Sequence, residues 1–352
     1  MHSLHINIYK IACCLILLFS IGTSMCVGQS KTKRADDELA KLFSEASFSG
    51  SVLVAKSGKI IYQNNTGYAD MQHHVPVNFS TKFELASVSK VFTAILVLQL
   101  AEKGKLKLDA KIAEYIPEFN RADGQEIKIR HLLSHTSGIQ DFVGLNCDFA
   151  SWTQKEFMEA LNKTPINFPA GTKFEYASST YVLLRFIIER VTGKSYEENL
   201  KTNILDIAHM RQSGVINNNE IVDNLAAGYQ SANGKFFNAI PVANHEIFLG
   251  AASIYSSAHD LLKLDQELYK NTLLTNESKE KMFTIVQPPY GYGWFISNDP
   301  KNGKTLSHGG DIFGFTTLIE RRLKSKTALI ILGNLQGIDR EKVVKILSKI
   351  IE

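Results

Sequence analysis

The sequence predicts an α/β (α+β) chain. An antiparallel sheet would be formed from both chain ends and flanked by helices, with a large, mostly helical region inserted and an active site between the two. Three observations carry this. Near the start, Ser49-Gly50-Ser51-Val52-Leu53-Val54-Ala55 reads as a buried strand, Lys56-Ser57-Gly58-Lys59 as a turn, and Ile60-Ile61-Tyr62-Gln63-Asn64 as its hairpin partner. Near the end, Gly293 to Ile296, Phe315 to Ile319 and Thr327 to Leu332 are further strand-like runs. Between them lie long helical patterns, and strands at both ends around helices predict one sheet completed by both termini.

Taken in order, the first ten residues hold one lysine, Lys10, and no acid, and Ile11 to Ile21 is an unbroken apolar run. That run is short for a bilayer span and has the size of a signal-peptide core. Cys26-Val27-Gly28 before Gln29 offers small residues for cleavage. The expected organisation is a signal peptide over 1–28, an N-terminal linker over 29–39 and one domain over 40–352. An exported protein follows, periplasmic or secreted. Contact with a membrane would come only through an uncleaved leader or a lipidated Cys26.

A helix opens at Phe83 to Ala94 and runs through Val91, Ile95 and Leu98 to Gly104, a C-terminal stop. Thr153-Gln154-Lys155-Glu156 has the form of a capping box. Ser178 or Ser179 is placed to cap a helix through Tyr181, Leu184 and Ile188 that ends at Gly193. Ser257 caps a helix through Leu261 and Leu264, and an amphipathic helix covers 340–351. Residues 209–245, rich in Asn and Gly, read as loops and irregular strands over the mouth of a site.

Composition is that of a soluble globular protein, 44% hydrophobic and 21% charged. Without the leader, 38 lysines and arginines face 35 acids, so no electrostatic reason to bind nucleic acid exists. Cys147 is the one cysteine far from the leader and shows no activating pattern; it reads as structural.

Chemistry concentrates at Ser87-Val88-Ser89-Lys90. Residues i and i+3 share a helix face, so the Lys90 amine can reach the Ser87 hydroxyl and take its proton. The spacing also occurs at Ser30/Lys33 and Ser278/Lys281, both in polar stretches. His-Glu-x-x-His, Cys-x-x-Cys, Gly-x-Ser-x-Gly, Gly-x-x-x-x-Gly-Lys and Gly-x-Gly-x-x-Gly are all absent. This argues against zincins, α/β-hydrolase elbows, nucleotide hydrolases and Rossmann enzymes. His131 and His135 lack a carboxylate cluster and read as structural, with no metal. Tyr62, Phe248, Trp294 and Phe313 are candidates for apolar walls.

Five ordered blocks extend this signal: Glu84 to Lys90, Ile129 to Gly138, Pro169 to Tyr176, Gly250 to Leu261, and Ser307-His308-Gly309-Gly310. In that order they resemble the serine β-lactamase-like family, which includes class C β-lactamases, D-Ala-D-Ala carboxypeptidases and related esterases with the penicillin-binding-protein fold. The resemblance covers residues 40–345. It implies no cofactor, Ser87 as the nucleophile of an acyl-enzyme, Lys90 as base and Tyr176 as proton relay. Two Tyr-x-Asn matches, at Tyr62 and Tyr269, lie out of the family's order. His308, Gly309 and Gly310 stand where many relatives have Lys-Thr-Gly on an edge strand. The glycines would let substrate backbone approach, and the N–H groups of Ser87 and Asp311 would form the oxyanion hole.

One departure stands out. Ser178 occupies the position where most relatives carry asparagine, and a hydroxyl offers fewer hydrogen-bonding groups than an amide. With His308 in place of lysine, efficient β-lactam hydrolysis is disfavoured. The expected function is an exported serine hydrolase cleaving amide or ester bonds of small substrates, foremost D-amino-acid peptides of the cell-wall type. A promiscuous carboxylesterase or weak β-lactamase is one alternative; a catalytically silent binding or scaffold protein of the same fold is another.

Overall fold

The computed structural model of the chain describes residues 30–142, 152–242, 244–300 and 302–351. The expected leader over 1–28 and Cys147 lie outside the described residues.

Six antiparallel strands form the central sheet: β1 (Gly50–Lys56), β2 (Lys59–Thr66), β3 (Phe295–Asp299), β4 (Gly303–Ile312), β5 (Phe315–Arg322) and β6 (Thr327–Gly333). Their spatial order is β3-β4-β5-β6-β1-β2. The two chain ends meet where β1 pairs with β6, from Gly50↔Gly333 to Lys56↔Thr327. Both central strands are apolar without alternation because both faces are covered. Val52, Val54, Leu329 and Ile331 face one cluster with Leu39, Leu42, Ile346 and Leu347. Leu53, Ile330 and Leu332 face the other, with Val91, Ile95, Leu261 and Leu264. The period of two along each strand thus divides the core into two layers.

The principal helices are α1 (residues 30–44), α2 (Ser89–Glu102), α3 (Ser178–Thr192), α4 (Ala258–Glu267) and α5 (Arg340–Ile351). In place of a linker over 29–39, the chain is already helical from residue 30, because Ala35, Leu39 and Leu42 recur at helical spacing and are buried against the sheet. α1 and α5 share the cluster on one face of the sheet; α2 and α4 pack on the other. α2 is buried on all sides from Ser89 to Leu100, so it runs through the core rather than over it.

The capping box at Thr153 and Glu156 and the Ser257 cap form as the sequence predicts. At α3 the cap differs. Ala177 holds the N-cap position without a side-chain bond, and Ser178 and Ser179 are the first helical residues. Their hydroxyls serve other partners: Ser179 Oγ accepts the Phe142 N–H, and Ser178 faces Lys90. Among the described residues no helix is long and apolar enough to cross a membrane.

Candidate active site

The strand Phe83–Glu84 pairs with Ile254–Ser256, and Leu85 continues it by donating its N–H to the Ile254 carbonyl at 2.8 Å. Thr317 on β5 then donates its hydroxyl to the Leu85 carbonyl at 2.8 Å. At Ala86 the backbone turns into the left-handed region, φ +49°, an unusual state for a residue with a Cβ. The 3-10 turn Ala86–Val88 follows and feeds into α2. Ser87 therefore stands half-buried at the head of a core helix, anchored on its N-terminal side to the central sheet.

Lys90 lies one turn further on and has no solvent exposure. Its Nζ is 3.1 Å from Ser87 Oγ, 3.2 Å from Ser178 Oγ and 3.1 Å from the Ala251 carbonyl. All three partners are uncharged, so little offsets the cost of burying an ammonium. Desolvation lowers the Lys90 pKa to about 7, with the Asp141 carboxylate opposing the shift. A substantial fraction of Lys90 is therefore the free amine at neutral pH.

Tyr176 closes the other side, its ring centroid 4.9 Å from Lys90 Nζ. Its hydroxyl is buried without a hydrogen bond of good geometry. Burial raises its pKa and the neighbouring Ser87 hydroxyl opposes that rise, so the phenol keeps its proton at neutral pH. His135 stacks behind it at 4.3 Å between centroids and takes the Ala177 N–H on Nδ1 at 3.2 Å. Burial and Lys90 hold the His135 pKa well below its ordinary value, as expected of a packing residue. His131 accepts the Lys128 N–H on Nδ1 and is structural too.

His308 is buried on β4. Its Nδ1 donates to the Gly309 carbonyl at 2.7 Å, which leaves Nε2 to accept from the Tyr290 hydroxyl at 2.9 Å. Burial, with Lys90 adding to it, lowers the His308 pKa to about 3. His308 is thus a neutral imidazole and brings no positive charge to the strand.

The edge strand is open where it passes Ser87. β3 pairs with β4 only from Gly303 to Ser307, so His308 to Ile312 extend beyond it. Counting from the Ile312↔Phe315 pair that closes the hairpin, Gly309 and Asp311 direct their N–H groups away from β5, toward this open edge. The two glycines serve a different purpose from the expected one. A Cβ on Gly310 would lie 2.2 Å from the Leu85 carbonyl oxygen, and one on Gly309 would lie 3.3 Å from the Arg340 guanidinium. Gly310 thus admits the backbone that carries Ser87, and neither missing side chain faces an open cleft. The Asp311 carboxylate is ion-paired with Arg340 and also acts electrostatically on Tyr176, adding to the rise in the phenol's pKa.

Ser87, Lys90, Tyr176 and Ser178 converge, with His308 6.2 Å from the Tyr176 ring. Phe295, Tyr290 and Phe174 wall the site; Phe295 stacks on Tyr176 at 6.2 Å. Of the expected walls, Tyr62 bonds Asp36 of α1 on the sheet face opposite α2, Trp294 is buried against Phe283, and Phe313 is exposed at a hairpin tip. Ser30 lies on α1 and Ser278 on the helix Asn276–Met282, so the other two Ser-x-x-Lys matches are coincidences of helix spacing.

The profile of the Beta-lactamase family matches residues 37–347. The chain belongs to that family. It is a serine hydrolase of the β-lactamase fold. Among relatives of this β-lactamase-family chain, it is 33% identical to Penicillin-binding protein 4* of Bacillus subtilis over 331 residues, 87% of this chain and 72% of the relative. A second protein of that organism, the putative penicillin-binding protein PbpX, is 31% identical over 88% of this chain and 76% of its own length. Among solved structures, a penicillin-binding protein from Bacillus halodurans superposes with a TM-score of 0.76 at 25% identity, over 88% of this chain and 98% of that one. EstCE1, a hydrolase with promiscuous acyltransferase activity, superposes at 0.81 and 23% identity over 93% of this chain and 100% of its own, a likeness of fold.

Two site groups carry no sequence signal of their own. The Ala251 carbonyl is invisible as a residue type, although its block is one of the five that order the chain. Asp141 lies close enough to act on both Lys90 and Tyr176 electrostatically, yet Gln140-Asp141-Phe142 matches no motif.

Proposed function

We propose that this hydrolase forms an acyl-enzyme on Ser87 and cleaves amide or ester bonds of small substrates, foremost peptides ending in D-amino acids. The observation that carries the reading is the buried Lys90 amine, 3.1 Å from Ser87 Oγ and poised near neutrality. Neutral Lys90 accepts the Ser87 proton as Oγ attacks the carbonyl carbon. The oxyanion forms between the N–H groups of Ser87 and Asp311, donors fixed before the substrate arrives. As the tetrahedral species collapses, Tyr176 gives its proton to the leaving nitrogen or oxygen and recovers one from Lys90. Water entering at the vacated position attacks the acyl carbon as its proton passes to Tyr176, which hands its own to the neutral Lys90 amine; Ser87 Oγ then leaves and takes that proton back from Lys90. The D-peptide assignment draws on the relatives named penicillin-binding proteins. The leader-like run after Lys10 supports an exported location.

A second reading, an esterase, draws on His308. With a neutral imidazole on β4 and Arg340 paired to Asp311, this strand offers a weak anchor for a substrate carboxylate. Esters without a carboxylate lose nothing by this. Labelling with fluorescent penicillin and a fluorophosphonate tests the nucleophile: the wild-type chain should label and Ser87→Ala should not, and labelling that survives the substitution overturns the assignment. Turnover of a D-Ala-D-Ala peptide, nitrocefin and a p-nitrophenyl ester on one preparation separates the two substrate classes.

A further inference from the structure

We propose that Glu84 and His245 form a proton-sharing clamp that positions the Ser87–Lys90 pair, a positioning role for two residues that touch neither reacting atom. Both side chains are buried, and His245 Nε2 lies 3.1 Å from Glu84 Oε2. The other ring nitrogen, Nδ1, lies 3.1 Å from Asn218 Oδ1. Two backbone groups fix the orientation of that amide. Asn218 Nδ2 donates to the Val242 carbonyl at 2.9 Å, and Oδ1 accepts the His245 N–H at 2.9 Å. Nδ1 therefore meets an acceptor and must carry a hydrogen. Nε2 meets a carboxylate oxygen, and that contact holds only if one proton lies between them. A histidine without it would turn a lone pair on a carboxylate inside the core.

The position of the clamp gives it a purpose. Glu84 is three residues before Ser87, on the strand that ends at the strained Ala86. His245 begins the segment that leads, through the turn Glu246–Phe248, to Gly250 and Ala251. The Gly250 carbonyl takes the Thr93 hydroxyl at 2.6 Å and the Ala251 carbonyl takes Lys90 Nζ. One shared proton thus ties the segment that sets the nucleophile to the segment that sets its base. The His245 carbonyl adds a bond from Ser253 Oγ at 2.5 Å, which stiffens the same segment. Asn218 brings in the stretch 209–245, whose sequence gives little sign of any fixed partner.

The inference rests on Ser87 and Lys90 as the reacting pair, so the test has a readout independent of turnover. Nitrogen chemical shifts of the His245 ring in the full chain should show Nδ1 protonated and Nε2 bound to hydrogen or hydrogen-bonded to a protonated partner. In the ester assay, Glu84→Ala should lower kcat by about 10- to 100-fold with KM little changed, the scale of a misplaced catalytic group. Glu84→Gln should restore most of kcat, because the amide N–H can donate to a neutral Nε2. An Nδ1 without hydrogen overturns the clamp, as does a Glu84→Ala chain with wild-type kcat. Equal damage from Ala and Gln, tracking equal losses in Tm, marks the pair as a packing contact only and overturns the positioning role. A wild-type chain with the expected ring shifts but no turnover would instead strike at the hydrolase reading.

Discussion

Among the described residues two cations are wholly buried, Lys90 and Arg321, and they are solvated in opposite ways. Arg321 Nε lies 2.6 Å from Asp265 Oδ1, and the guanidinium sits 4.6 Å from the Tyr269 ring centroid and 5.6 Å from that of Phe283. Lys90 has three neutral oxygens and, among the described residues, no carboxylate in hydrogen-bond range. A guanidinium with a counter-ion stays charged and cross-links α4 to β5. An amine among neutral acceptors gives up charge instead, the state that a base requires. The same burial yields a strut in one place and, under the proposed function, a reagent in the other, and the partner decides which.

Lys90→Met attacks the reagent and should have the largest effect. Loss of the base should lower kcat/KM by about 10³-fold or more, while Tm at neutral pH holds or rises because a desolvated amine has gone. The sign with pH follows. Native Lys90 releases its proton near 7 and the unfolded chain near its ordinary value, so the unfolded state binds more protons between those pH values. Wild-type stability should therefore rise with pH from about 7 toward 10, and Lys90→Met should flatten that rise. Activity should climb through about pH 7 as the free amine forms.

Asp265→Asn attacks the strut. It leaves Arg321 buried without a counter-ion, with Nη1 already lacking a partner, and should cost about 3–5 kcal/mol in denaturant unfolding. The kcat of the molecules that remain folded should hardly change. A fall in kcat as large as that of Lys90→Met would erase the distinction between the two cations.

Smaller effects sharpen the same contrast. His308 is neutral in the folded state down to about pH 3, whereas an unfolded histidine takes up a proton near 6.5. Stability should fall as pH drops below 6.5, by about 2 kcal/mol at pH 5 for this one residue. Equilibrium unfolding of His308→Gln should show a shallower loss. Ser178→Ala removes one of the three oxygens around Lys90 and should change kcat/KM severalfold, with the acid limb moving to lower pH. An unmoved limb would mean that Ser178 does not solvate the amine.

The fold was legible because both its layers leave periodic marks. β1 and β6 are short apolar runs, α5 is amphipathic, and the chain order of strands and helices predicts the closed sheet. Ser87, Lys90 and Tyr176 were legible through spacing and order. The purpose of Gly310 was not, because a missing side chain says that something comes close without saying what. In this fold the neighbour is Leu85, brought in from more than 200 residues away. Ala251 acts through a backbone carbonyl, a group every residue has. The cap of α3 was misplaced because Ser178 looks like a capping residue in sequence, and its engagement with Lys90 depends on a contact 88 residues distant.

The pairing of β1 with β6 also has a consequence in time. Leu85, which carries Ser87, is fastened by Thr317, and the strand bearing Thr317 is held between β4 and β6. Those partners do not exist until a ribosome has released the chain through Gly333, and contacts of such long sequence separation close late. The nascent polypeptide would thus carry a serine and a lysine that are neighbours in sequence yet inert. The fixed geometry around Ser87 and Lys90 therefore depends on the sheet being complete.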